Sequence, residues 1–390
     1  MTGRAASHLR DLNSRAMLGL LLRRGPTARV HLAQTLGLSK ATVTAATRDL
    51  LDAGLVCELG EDETLPRLSG RQPQPIDVNP QAASLIAVDI GAVRTTAVLA
   101  DLRGEIICSS QCSTPQTDAV AFLRSLEALI KGLLDNRSTG TGPLGAVVVG
   151  IPGMVSTGNV IDDSVNVPAL RGLPLHAELT HWCGALVRLE NDINLAAIGE
   201  HTVGSAGEYQ NFAFVSLGTG IGAGLYIGGR LHRGAHGFAG EIGEMVLREV
   251  NGEPIGLERL VAGSVLGQRG QAQGLDDATP QALVCAARSG NAAALTITRQ
   301  AATALAHGLL NIHLLLDLEA VVLGGGVGRQ FDVWADTIGA VLGARHSRPP
   351  LLRPSTLTQP TLSGALALAR EDCWEALLSA HSSRRKQSVS

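Results

Sequence analysis

The chain has 390 residues, with 32 Lys and Arg against 35 Asp and Glu, for a formal net charge of −3. That length fits two or three domains, and a hydrophobic share of 45% excludes a chain disordered throughout. Only 3% of the residues are aromatic, which argues against nucleic-acid binding on stacked aromatic platforms.

The near-neutral total hides an uneven distribution. Residues 1–57 hold eight basic and three acidic residues, a net +5, which leaves −8 for the rest. A small basic head on a large acidic body reads either as an anion-binding module or as a basic solvated helix surface. The six cysteines, at 57, 108, 112, 183, 285 and 373, form no CxxC or CxC pair, so their spacing supports neither a zinc knuckle nor a redox motif. Scattered thiols fit a reducing cytosol. The start MTGRAASHLRDLNSR lacks a signal-peptide core, and no run reaches the roughly 18–20 apolar residues of a membrane span. A soluble, cytoplasmic protein with no membrane partner is expected.

Residues 12–24 show apolar positions at helical spacing and stop at Gly25-Pro26. Thr27 is expected to cap a second helix, ending at Gly37, and Ser39 a third, KATVTAATRDLLDAG. Val43, Ala46, Leu50 and Leu51 face inward in this reading. Lys40, Thr42, Thr44, Ala45 and Arg48 face outward. Two short helices around a tight turn describe a helix-turn-helix, whose small polar residues let the second helix enter the major groove. The alternative is an ordinary three-helix bundle. Two extended runs around the polar tip EDETLPRLSGRQ then read as a wing. The expected DNA contacts are Ser39, Lys40, Thr42, Thr44 and Arg48 on the helix, with Arg67 and Arg71 on the wing.

Further along, SLIAVD, VRTTAVLAD and EIICSS read as three strands, residues 119–134 as a helix, and AVVVG as another strand. Four phrases then bear chemistry. LENDINLAAIGE places Asn191 and Asp192 at the mouth of a strand, where α/β proteins hold ligands. FVSLGTGIGAGLYIGGRL carries a turn able to offer bare amides to an anion. GFAGEIGE and LGGGVG follow.

These phrases, in this order and behind a winged helix, resemble the ROK family (repressor, open reading frame, kinase) over about residues 12–375. The fused head is the mark of its repressor branch. The resemblance implies an α/β fold class, a winged helix-turn-helix over 1–80 followed by a two-lobed actin/hexokinase-like domain. Lobe 1 spans 81–195 and recruits a C-terminal helix over 361–382. Lobe 2 spans 196–360, and 383–390 form a disordered tail. The implied sugar pocket comprises Asn166, Asn191, Asp192, Glu241, Glu244 and Glu258, because amides and carboxylates together suit a polyol. In the kinases the residue matching Asp192 is the general base; here that role is vestigial. A helix cap is the alternative for Asp192.

The sequence departs from the family pattern at three points. The kinase phosphate loop reads like DxGGTK, whereas this chain has Asp89-Ile90-Gly91-Ala92-Val93-Arg94, with side chains where bare backbone should meet phosphate. The family's zinc-binding His and Cys are missing: Glu244 stands at the His position and MVLREVNGEPIGLE has no Cys. That same His also touches the sugar, so Glu244 implies a more acidic pocket, altered selectivity and room for an amino group, unless it turns away to Arg233 or Arg248. No cofactor is expected, neither zinc nor ATP. The expected partners are operator DNA, a sugar effector and a second copy, as a homodimer or dimer of dimers. The competing reading is a sugar kinase with an accessory DNA-binding head.

Overall fold

The structure is a computed structural model and describes residues 2–59, 74–137, 140–156, 158–164, 166–275, 277 and 279–388. The head comprises α1 (Thr2–Arg24), β1 (Thr27–Ala28), α2 (Arg29–Leu36), α3 (Lys40–Asp52), β2 (Val56–Glu58) and β3 (Pro75–Val78), with strand order β1-β3-β2. Ser39 caps α3 by accepting from the Thr42 amide, and Gly37 ends α2 at φ 63. Val43, Ala46, Thr47 and Leu50 are buried on α3, while Leu51 is only half-buried. Two expectations are corrected here. The first helix begins at Thr2, not near residue 12. Thr27 is not a cap either: it pairs with Ile76 as a strand, and its hydroxyl donates to the Gly25 carbonyl. The wing's third strand needs that backbone, and a long-range pairing of two residues leaves no periodicity to read. The wing tip, with Arg67 and Arg71, lies outside the described residues.

The body repeats one topology. In the first lobe, β4 (Ser84–Ile90), β5 (Arg94–Asp101) and β6 (Ile106–Ser113) form an antiparallel meander. After α4 (Ala119–Asp135), β7 (Leu144–Ile151) joins β4 in parallel. A small hairpin follows, β8 (Met154–Ser156) and β9 (Val160–Asp163), then α5 (Leu175–Cys183), and β10 (Leu186–Asn191) completes the order β10-β7-β4-β5-β6. Helix α6 (Asp192–Thr202) then crosses to the second lobe.

There β11 (Phe212–Leu217), β12 (Ile221–Ile227) and β13 (Arg230–His232) form the same meander. A hairpin of β14 (Val246–Val250) and β15 (Glu253–Gly256) precedes α7 (Glu258–Val261), α8 (Gly263–Ala272), α9 (Pro280–Arg288) and α10 (Ala292–Leu316). Strand β16 (Ala320–Gly324), the short α11 (Gly325–Gly328), α12 (Phe331–Arg345) and β17 (Leu351–Pro354) give the order β13-β12-β11-β16-β17. The chain closes with α13 (Pro360–Ser388). The tail expected from 383 is therefore helical to Ser388. No Gly or Pro follows Gly364 in it, and Arg, Lys and Gln propagate a helix well.

The central strands of the two five-stranded sheets bury both faces, as layers covered on both sides require. On β4, Leu85 and Ala87 face one core while Ile86, Val88 and Ile90 face another. On β11, Phe212 and Phe214 join the first core, and Ala213, Val215 and Leu217 form a third with α8–α10 and α12. The first core is continuous from the head into the body: Met17, Leu18 and Leu21 of α1 share it with Leu195 and Ile198 of α6 and Leu366, Ala369 and Trp374 of α13. Arg15 pairs with Glu375 at 2.7 Å, and Arg103 of the β5–β6 turn pairs with the buried Asp77 of β3. No helix among the described residues is long and apolar enough to cross a membrane.

Helices α6 and α13 cross with their backbones in contact. A Cβ on Gly364 would sit 1.7 Å from the Leu195 carbonyl oxygen, and one on Gly199 would sit 2.4 Å from that of Pro360. Backbone cannot yield as a flexible side chain does. Gly364→Ala is expected to destabilise the fold by about 1–3 kcal/mol, the usual cost of overpacking. Thermal unfolding checks this, and an unchanged melting temperature would contradict the crossing.

Candidate functional site

The cleft between the lobes is built where α6 begins. Strand β10 ends at Asn191, whose side-chain oxygen caps α6 by accepting from the Ile193 and Asn194 amides at 3.0 Å each. The Asn191 side-chain amide donates to the Gly153 carbonyl at 3.0 Å. Asn191 is thus the cap, the duty considered above for Asp192. The Asp192 carboxylate accepts from the Ile193 amide at 2.9 Å.

Two aspartates face each other here. Burial raises the Asp89 carboxyl to about 6. Asp192 is pushed up to about 7, first by burial and then by the Asp89 charge, which together outweigh its own backbone hydrogen bonds. Glu241 adds a smaller upward push on Asp192. The Glu241 carboxyl is itself raised, by desolvation and then by Glu244 and Glu258, although its side chain reaches solvent. Asp89, Asp192, Glu241, Glu244 and Glu258 therefore form one electrostatic group. Glu241 is delivered there by Gly240, at φ 99, where a Cβ would stand 1.8 Å from the Ala223 carbonyl oxygen.

Other predicted residues fall less simply. Asn166 is exposed, two residues beyond Ser164, whose hydroxyl donates to the Pro152 carbonyl. Glu258 does more than line a pocket: it accepts from the Ile221 amide at 3.1 Å, and a Cβ on Gly220 would stand 2.6 Å from its carboxylate. A fixed carboxylate thus occupies the Gly218–Ile221 turn, consuming an amide and opposing a phosphate anion. In the first turn, the Gly91 amide is spent on the Arg94 carbonyl at 3.0 Å, and Val93 stands 77% exposed.

Arg233 pairs with neither Glu244 nor an exposed acid. Its Nε donates to Glu190 at 2.6 Å, while the other Glu190 oxygen accepts from the Asn194 side chain at 3.0 Å and the Asn191 amide at 3.1 Å. Glu190 is buried on β10 and Arg233 follows β13, so this pair ties the two lobes beside Asp192. Sequence reasoning missed Glu190, although its place directly before Asn191-Asp192 marked it. Asp89 was read only as part of the altered phosphate loop, and it lies close enough to Asp192 to raise that carboxyl. The segment where the family's zinc ligands would stand is the β14–β15 hairpin, which supplies no thiolate.

On the DNA side, Ser39, Lys40, Thr44 and Arg48 are exposed on α3. Thr42 is half-buried, its hydroxyl 2.8 Å from that of Ser39.

Residues 85–372 match the ROK family, and the chain belongs to it. It is 27% identical over 245 residues to the xylose repressor of Bacillus subtilis, covering 61% of each chain. The chain thus spans about 61% of the length of that relative. It is 25% identical over 407 residues, 96% of each chain, to the DNA-binding transcriptional dual regulator NagC of Escherichia coli. A solved ROK transcriptional regulator, a homologue of the E. coli MLC protein, shares the fold over 96% of this chain and 99% of its own at a TM-score of 0.82 and 21% identity. The lobes alone, 74% of this chain, match all of a ROK glucokinase from Streptomyces griseus at a TM-score of 0.63 and 27% identity.

The two raised aspartates set a pH dependence. Unfolded Asp titrates near about 3.9, so between pH 4 and 7 the folded state keeps protons that the unfolded state has lost. Stability from this source is full below about pH 4 and declines as pH rises through about 6 and about 7. Asp192→Asn removes its share. Its melting temperature should gain on the wild type progressively from pH 4 to 7 and hold that gain at pH 8. Parallel profiles for the two proteins would refute the charge assignment.

Proposed function

We propose that this protein is a sugar-responsive DNA-binding regulator, a repressor released from its operator when a sugar occupies the cleft. The observation that carries the proposal is the course of α6. Its first residue, Asp192, lies in the acidic cleft. Its last turns, through Ile198 and Thr202, line a cavity of about 380 Å³ shared with Arg15, Leu18 and Leu22 of α1 and Trp374 of α13. Eleven residues at 1.5 Å each carry a displacement about 16 Å from sugar to head. The unfilled space at the seam gives α1 somewhere to move.

A sugar that favours one closure of the lobes bears on the Glu190–Arg233 tie and on the start of α6. The head then shifts relative to its partner. A helix-turn-helix reading a two-fold operator acts as a dimer, whose recognition helices must keep a fixed spacing, so the reading includes a homodimer. The relatives' names support it: one is called a xylose repressor and the other a transcriptional dual regulator. The reading uses neither zinc nor ATP. Glu258 on the glycine turn and Val93 on the first turn oppose phosphate binding, which weighs against the kinase alternative despite the shared fold.

An operator titration in the presence of a sugar panel tests this. One sugar should weaken DNA binding, and Asp192→Asn should abolish that response while leaving DNA affinity unchanged. Arg48→Ala should weaken DNA binding and leave sugar binding intact. A sugar that tightens operator binding would reverse the sign, and ADP release with any sugar would favour the kinase.

A further inference from the structure

The body of this chain is acidic, yet one cavity in its second lobe gathers positive charge. The pocket, of about 610 Å³, lies among α8, α10 and β14 and is lined by Arg248, Arg269, Arg299, Gln300, Thr303 and His307 over an apolar floor. Among the described residues, no carboxylate lines it. We propose that it binds a small metabolite bearing clustered anionic oxygens, phosphate or carboxylate, as an effector separate from the cleft sugar.

The placement of the cations is selective. Arg269 is the only charged residue of α8, and Arg299 the only Asp, Glu, Lys or Arg in the 25 residues of α10. Both reach the same pocket. On α10 the lining residues Arg299, Thr303 and His307 recur every four positions, which stacks them on one helix face. Arg248 approaches from β14, across the opening.

Arg269 makes the strongest case. It is half-buried, yet among the described residues it bonds only to the carbonyls of Leu260 and Arg259, both at a long 3.4 Å. A guanidinium carries five N–H donors in a planar fork that matches carboxylate and phosphate oxygens. Among the described residues, Arg248, Arg269 and Arg299 make no ion pair. Gln300 adds an amide donor. Thr303 does not serve as a donor, because its hydroxyl proton goes to the Arg299 carbonyl at 2.8 Å. The volume falls within the roughly 300–1,000 Å³ of small-molecule sites.

The position suggests a regulatory role. Strand β14 begins two residues after Glu244, and Leu260 of the pocket lies two residues after Glu258. An anion drawing Arg248 toward Arg269 and Arg299 acts on both segments that carry the cleft's outer carboxylates.

Isothermal titration of the full chain with inorganic pyrophosphate and with citrate, at ionic strength held constant by NaCl, tests the proposal. At least one anion should bind saturably at a single site. The double variant R248Q/R299Q, at two exposed positions, should bind about tenfold more weakly or worse. R269K, which keeps the charge and loses the fork, should also weaken binding. D192N should bind the anion as the wild type does, which separates this site from the cleft and from the reading proposed for it. Response to pyrophosphate alone assigns a phosphorylated ligand, and response to citrate alone a polycarboxylate. Three results would overturn the proposal: no saturable binding of either anion, equal binding by R248Q/R299Q, which would place the anion elsewhere (on the basic head, for example), or loss of binding in D192N.

Discussion

The backbone crossing of α6 and α13 is the constraint on which the rest of the molecule depends. Leu195 and Gly199 of one helix meet Pro360 and Gly364 of the other at distances that exclude a β-carbon. Because that contact cannot open gradually, the two helices move as a unit. Asp192 lies at one end of this unit, and the α1 seam lies along its flank. The hydrophobic core that begins in the head runs without a break into α13 and α6. A displacement where α6 begins would therefore reach the head through packed, stiff elements. Coupling of this kind is typically worth about 1–3 kcal/mol, a factor of roughly 5 to 150 in affinity.

The cleft itself stores unfavourable charge. Burial raises the proton affinity of Asp89, burial and then the Asp89 charge raise that of Asp192, and burial followed by the Glu244 and Glu258 charges raises that of Glu241. Among the described residues, Glu190 is the neighbouring acid that has a cation, Arg233. A polyol donating several hydroxyl hydrogens relieves such a site without adding charge. A nucleotide triphosphate does the opposite, and the chain has set Glu258 against the turn that would receive it. The scaffold is one that the lobes share with a ROK glucokinase.

Much of this was legible in the sequence because it is local. The Ser39 cap, the outward face of α3 and the Asn191-Asp192 step at a strand end follow from spacing and from the chemistry of single residues. What was not legible depends on distant partners. Thr27 became a strand because Ile76 offers it a ladder. Asn191 rather than Asp192 took the capping duty, and its side-chain amide also reaches the Gly153 carbonyl. Arg233 chose Glu190, 43 positions away, over nearer acids. Glu258, besides joining the acidic group, holds the glycine turn, since its carboxylate satisfies the Ile221 amide. The near-neutral charge of the whole chain described neither module, and within the acidic body it also concealed a basic pocket.

The central claim is thermodynamic: sugar in the cleft and DNA on the head oppose each other through α6. The most direct test is to measure the sugar's dissociation constant twice, on the free protein and on its saturated operator complex. The account predicts weaker sugar binding on the complex, by the same factor by which the sugar weakens DNA binding. Equal sugar affinity in the two states would contradict it.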